Sequence, residues 1–213
     1  MSLEEMRNRN VRLVTEMALE CFIEKGIERT KVCDIAKRAG LTERSAFRYF
    51  ASKNDIVAAA SFLYWNRAKE AVGAKVASLR RDGMTGIEEI HLILCAYAGL
   101  VFDDPAGIRF SLDAEVALYN SGKNYRILNR PPERYEDAEG PLAGAIHRGI
   151  SDGTVDKNAY VKQLYYNAYD SILGVMQRMT VGVPSVNEID GRERLLSLCN
   201  IFAREFAADK ALF

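Results

Sequence analysis

Residues 30–57 read TKVCDIAKRAGLTERSAFRYFASKNDIV, and this stretch decides the fold of the chain. Thr30 is placed to cap a short helix whose apolar residues Val32, Ile35, Ala36 and Ala39 recur at helical spacing. A sharp turn is predicted at Ala39-Gly40-Leu41. Thr42 then caps a second helix, with Ala46, Phe47 and Phe50 facing the core. Ser52 and Asp55 make a capping-box pattern that opens a third helix. Two short helices joined by a tight turn with glycine form the helix-turn-helix unit, whose second helix enters the major groove of DNA.

Outward from this unit the chain reads as helix after helix. Before it, Val11, Val14, Ala18, Cys21 and Phe22 make an apolar stripe over residues 9–25, with Gly26 at the C-terminal stop. After it, the helix from Ser52 runs through Ile56, Ala60 and Leu63 toward Arg80. Thr85 and Glu88 form a second capping-box pattern, opening a helix through Ile90, Leu94, Tyr97 and Val101. Asp104-Pro105 starts another that runs to about Asn120. Residues 122–135 are polar, with Pro131-Pro132, and read as a loop. Helices are expected over 133–148, with a break at Gly140-Pro141, over 157–180 after an Asp156 cap, and over 186–209. No strand-period segment of useful length appears. The expectation is an all-α chain of about nine helices. Residues 1–54 are expected to form the helix-turn-helix DNA-binding domain and 55–213 a larger helical domain for effector binding and dimerisation.

Composition narrows the function. The chain has 213 residues and is rich enough in apolar side chains to build a core. No apolar run reaches bilayer-spanning length, and MSLEEMRNRN lacks the apolar segment of a signal peptide, so a cytoplasmic protein without membrane partners is expected. Cys21, Cys33, Cys95 and Cys199 are scattered and form no metal-binding spacing, which fits free thiols. Net charge is zero, yet residues 1–54 hold 11 Lys and Arg against 8 Asp and Glu, while the remainder holds 18 against 21. A mildly basic module on a mildly acidic body fits contact with phosphate through the first part alone. His91 and His147 lack ligand-spaced partners, apart from Glu88 near His91, and the glycines make no phosphate-cradling loop. Neither a metal site nor a cofactor is expected, and the chain is not read as an enzyme.

Residues 13–57 resemble the N-terminal domain of the TetR family of bacterial transcriptional regulators. The resemblance rests on Ala18, Phe22, Gly26, Thr30, Ile35-Ala36, Ala39-Gly40-Leu41-Thr42, Ser45, Tyr49-Phe50, Ser52-Lys53 and Ile56. The chain departs from the family pattern at Arg44, where glycine is frequent, and at Phe47, where a tyrosine hydroxyl often bonds a DNA phosphate.

The DNA-contacting set expected from motif and resemblance is Thr30, Lys31, Thr42, Glu43, Arg44, Ser45, Phe47, Arg48, Tyr49 and Lys53. Arg44 is suited to a guanine edge or a phosphate, and Lys53 at a helix start to a phosphate. The alternative for each is an ordinary solvated helix face.

The resemblance also implies an effector pocket in the larger domain. Tyr97, Phe102, Phe110, Glu115, Tyr119, Tyr166, Tyr169 and Met176 are its candidate lining, against the alternative of plain core packing. Aromatic walls with a few polar tips suit a largely apolar small molecule. Leu164, Ile172, Leu195 and Phe202 on the last two helices are the candidate dimer seam, completing a four-helix bundle between two copies.

The resulting expectation is a homodimeric transcriptional regulator, of repressor type by family habit, released from a palindromic operator in double-stranded DNA by a small-molecule effector. The rival is a helical enzyme or small-molecule-binding protein with an incidental helix-turn-helix. It would need converging acid, base or metal groups that the sequence does not offer.

Overall fold

A computed structural model describes residues 2–122, 132, 135, 140–182 and 190–212. Among them are nine α-helices: α1 (Leu3–Lys25), α2 (Val32–Arg38), α3 (Glu43–Phe47), α4 (Lys53–Leu79), α5 (Gly86–Asp103), α6 (Pro105–Asn120), α7 (Pro141–Asp152), α8 (Val161–Met179) and α9 (Gly191–Phe206). A 3-10 turn, Lys210–Leu212, follows. Extended pairing among the described residues is one antiparallel bridge, Val155 with Ala207.

The caps show why these segments stop and start where they do. Ser2 accepts from the Glu5 N–H while the Glu5 carboxylate accepts from Ser2, so α1 begins well before Arg9. Thr85 and Glu88 make the same reciprocal pair at α5, as the spacing predicts. Asp156 behaves differently from expectation. Its carboxylate accepts from the Asn158 N–H at 2.8 Å and its carbonyl from Ala159, so it heads a turn and α8 starts only at Val161. α7 begins after Gly140, with Pro141 in its first turn, and continues past Arg148 until left-handed Gly153. Residues 133, 134, 136–139 and 186–189 of the expected helices lie outside the described residues.

Two compact units divide the chain. The first takes the described residues of 1–67 and 106–130, the second those of 68–105 and 131–213. Their boundary falls within α4 and places α6 with the helix-turn-helix, which differs from a division after Asn54. In the first unit Val14, Ala18, Phe22, Ile35, Ala36, Ala46, Ile56 and Val57 form a buried core, joined by Trp65 and Phe110. Phe110 stacks on Phe22 with ring centroids 6.0 Å apart and meets Tyr64 edge-on at 6.0 Å.

In the second unit α5 is the central helix, packed by α7, α8 and α9. Its contact with α7 depends on two glycines, because a Cβ on Gly86 would sit 2.1 Å from the Gly149 nitrogen. The first amides of α5 donate to Asp152 Oδ2 at 2.7 Å, at the last residue of α7, and to Thr154 Oγ1 at 3.2 Å, just past it. A helix start that would otherwise hold dry N–H groups is thereby satisfied. Glu89, buried in the same unit, is held by Arg148 at 2.8 Å, with Arg80 at 3.8 Å.

Candidate functional site

The turn between α2 and α3 is built around Gly40, whose φ of 67° is a left-handed conformation that favours glycine. Closing it, the Leu41 N–H donates to the Ala36 carbonyl at 2.8 Å. Thr42 then turns extended and its Oγ1 accepts from the Ser45 N–H at 3.1 Å, so α3 opens on the predicted cap. The helix is short, ending at Phe47, and residues 48–50 continue as a turn in which Phe50 N–H donates to the Ala46 carbonyl. Ala46 and Phe50 are buried and anchor this element to the core.

Thr42, Glu43, Arg44, Phe47 and Arg48 lie exposed on the other side. Phe47 is thus not a core residue as its spacing suggested; it is 45% exposed. Arg44, Phe47 and Arg48 stand three and four residues apart and share a helix face, while Ala46 and Phe50 occupy the opposite one. Tyr49 is half-buried and its hydroxyl oxygen accepts from Asn10 Nδ2 at 2.9 Å, which ties the end of this element to α1. Ser45 is half-buried, with its hydroxyl 2.9 Å from that of Thr42.

Three further residues of the expected set fall into distinct situations. Lys31 is exposed at the start of α2. Thr30 is fully buried, and its hydroxyl donates to the carbonyls of Gly26, at 2.8 Å, and Cys21, at 3.2 Å. It neither caps α2 nor faces outward, which removes it from the DNA-contacting set. Lys53 donates from Nζ to the Ile27 carbonyl at 2.6 Å, so its amine is already partly engaged within the unit. Nearby, Arg38 is held bidentately by Glu24 and contacts Glu20 at 3.0 Å. Hydrogen bonding from Arg38 keeps the Glu24 carboxyl below its ordinary range. The exposed cations near the turn are Lys31, Lys37, Arg38, Arg44 and Arg48, of which Arg38 is paired with Glu20 and Glu24.

The expected effector lining does not form one set. Tyr97 and Tyr169 meet edge-to-face at 5.0 Å in the second unit, and Tyr169 meets Tyr165 at 5.2 Å. Tyr165 continues to Tyr166 and Tyr135, each with centroids 5.3 Å away, and the Tyr166 hydroxyl accepts from the Tyr135 N–H at 3.0 Å. Met176 is fully buried, while half-buried Phe102 carries the Arg192 guanidinium 4.1 Å above its ring. Phe110 belongs to the first unit's core, and Glu115 is half-buried on the same helix. Tyr119 is 86% exposed near the end of α6, so it does not line a cavity in this chain.

The expected seam also needs correction. Ile172 and Leu195 are buried at 0% and 1% within their own chain, so neither offers its side chain to a second copy. Leu164 and Phe202 are half-buried, and the outward apolar residues of α9 are Leu196 and Ile201.

Sequence reasoning missed Asn10, Tyr135 and the central role of Tyr165. Asn10 lies far from Tyr49 in sequence and carries no motif, so periodicity gives no sign of their pairing. Among the described residues no group of three or more His, Cys, Asp or Glu could hold a metal ion, and no helix is long and apolar enough to cross a membrane.

An all-helical fold presenting a short exposed helix after a glycine turn defines a helix-turn-helix DNA-binding protein. Residues 14–60 match the family model described as bacterial regulatory proteins, tetR family. The chain is 24% identical over 140 residues to an uncharacterised HTH-type transcriptional regulator, YvdT, of Bacillus subtilis, covering 60% of this chain and 69% of that one. Among solved structures, a TetR family transcription regulator from Marinobacter aquaeolei VT8 superposes with a TM-score of 0.57 at 16% identity, over 96% of this chain and 99% of that one. FadR from Bacillus subtilis, in complex with stearoyl-CoA, gives 0.59 at 16% identity, over 90% and 97%. Residues 14–60 are thus a DNA-binding domain of the TetR family type, set in a fold shared with TetR family regulators.

Proposed function

We propose that the protein is a homodimeric repressor that holds a palindromic operator and releases it on binding a small, largely apolar molecule. The observation that carries the DNA half is the outer face of α3. There Thr42, Glu43, Arg44, Phe47 and Arg48 stand exposed while buried Ala46 and Phe50 fix the element from behind. Arg44 is the base-reading candidate, since its paired donors match a guanine edge. Phe47 offers apolar contact to a thymine methyl, a role open to a ring without a hydroxyl. Lys31 and Arg48 supply phosphate contacts, and Lys53 adds its remaining donors. Tyr49, fixed by Asn10, adds polar contact beside them.

Dimerisation through α8 and α9 rests on Leu196 and Ile201, which are 49% and 54% exposed, with Leu164 and Phe202 beside them half-buried. A twofold dimer matches the symmetry of a palindrome, with one α3 for each half-site. The effector reading is supported by the Tyr97–Tyr169–Tyr165–Tyr166 cluster and by the acyl ligand of the FadR structure. Such a ligand lowers operator affinity by the factor by which DNA lowers ligand affinity.

Fluorescence anisotropy with the palindrome selected from a random DNA pool tests the DNA reading. Equal affinity for that palindrome and for scrambled duplex refutes a specific repressor. Adding long-chain acyl thioesters and simple phenols to the complex tests the effector reading, with release of DNA as the expected outcome.

A further inference from the structure

Cys95 on α5 and Cys199 on α9 lie far apart in sequence, yet these helices pack together in the second unit, with His91 of α5 reaching Asn200 of α9, and this packing sets the two thiols against each other. One turn earlier on α5, His91 sets Nε2 3.5 Å from the Cys95 sulfur and 2.7 Å from Asn200 Oδ1. With the proton on Nε2, the ring donates toward both. Cys95 is half-buried and Cys199 is fully buried, so Cys95 is the more accessible residue of the pair. Cys21 is buried beside Arg38 Nη1 at 3.8 Å, and Cys33 is exposed.

We propose that Cys95 and Cys199 form a peroxide-oxidised thiol pair, with Cys95 as the attacking sulfur, His91 as its positioning residue and Cys199 as the resolving sulfur. The Cys95 sulfur attacks one oxygen of a hydroperoxide and the O–O bond breaks. Cys95 becomes a sulfenic acid, and the proton it held leaves with the departing hydroxide as water, or with the departing alkoxide as an alcohol. Cys199 sulfur then attacks Cys95 sulfur, the S–O bond breaks, and the hydroxide leaves as water with the Cys199 proton. The two thiols lose two electrons in all, the peroxide gains them, and a disulfide joins α5 to α9. A dithiol reverses the step.

The electrostatics run in the same direction. The S–H of Cys199, and after it the His91 ring, hold the Cys95 thiol below its usual range despite burial. Cys199 is pushed up, first by Cys95 and then by burial, so it retains the proton until the second step. This chemistry does not depend on the DNA-binding reading.

The experiment uses the full-length reduced protein, equimolar hydrogen peroxide, alkylation, and peptide mass mapping without reductant. The expected result is loss of two alkylatable thiols, a chain lighter by two hydrogens, and one cross-linked species joining the peptides of Cys95 and Cys199. Cys21 and Cys33 remain alkylated. In Cys199→Ser, Cys95 is expected to stop at a sulfenic acid that a cyclic 1,3-diketone traps. In Cys95→Ser, Cys199 is expected to remain a thiol. Oxidation of Cys33 ahead of Cys95 overturns the proposal. So does a wild-type protein that keeps both thiols, or that accumulates trapped Cys95 sulfenic acid without the cross-link.

Discussion

Replacing Thr30 by valine separates a structural role from a DNA-binding one at a position where motif and tertiary structure disagree. The substitution keeps the shape and removes only the hydroxyl, whose single proton is shared between the Gly26 and Cys21 carbonyls at 2.8 and 3.2 Å in a site with 0% exposure. Losing one net hydrogen bond and leaving a buried acceptor short of its donor costs about 1–3 kcal/mol. For a chain of this length that lowers the melting temperature by roughly 2–12 °C. Operator affinity of the folded variant should stay near wild type, and the slope of log K against log salt should not change, because no phosphate contact is lost. Thermal melting by circular dichroism and anisotropy titrations across a salt series read the two quantities on one sample. Thr30→Ser, which restores the donor, should recover most of the melting temperature. Unchanged stability together with weakened operator binding would refute the argument and return Thr30 to the interface.

Arg44→Ala should cost about 1–3 kcal/mol of operator binding and relax preference at one base position, whereas Lys53→Ala should weaken all duplexes alike; a uniform loss from Arg44→Ala makes it a phosphate contact instead. Gly149→Ala places a Cβ 2.3 Å from Val155 Cγ2 against the start of α5, and should lower the melting temperature by at least as much as Thr30→Val. An alanine variant as stable as wild type would show that the α5–α7 contact relaxes freely. Ile201→Asp should turn a dimer into monomers in sedimentation velocity while preserving helicity, since an unpaired carboxylate in an apolar seam costs several kcal/mol. A variant that remains dimeric moves the seam away from this face of α9.

The elements legible in sequence were those specified by neighbouring residues. Gly40 between two short apolar stripes, Thr42 three residues before Ser45, and the Thr85–Glu88 pair each determine a turn or a cap through contacts only a few residues apart. Such signals belong to the chain itself, and the helix-turn-helix and the all-α class followed from them. At Asp156 local spacing does not decide, because the same short carboxylate can cap a helix or head a turn.

What only the tertiary structure decided was which side of each helix met another helix. Leu195 and Leu196 are equally apolar and adjacent, yet one is sealed inside the chain and the other is half in water. Ala46 and Phe47 differ in the same way on α3, where Ala46 faces the core and Phe47 shares the outward face of Arg44. Asn10 reaching Tyr49, the four-tyrosine cluster and the meeting of Cys95 with Cys199 are long-range pairings. Successive residues on a helix differ by about 100° in direction, so periodicity fixes a stripe to within one residue. The neighbour that covers the stripe selects the residue.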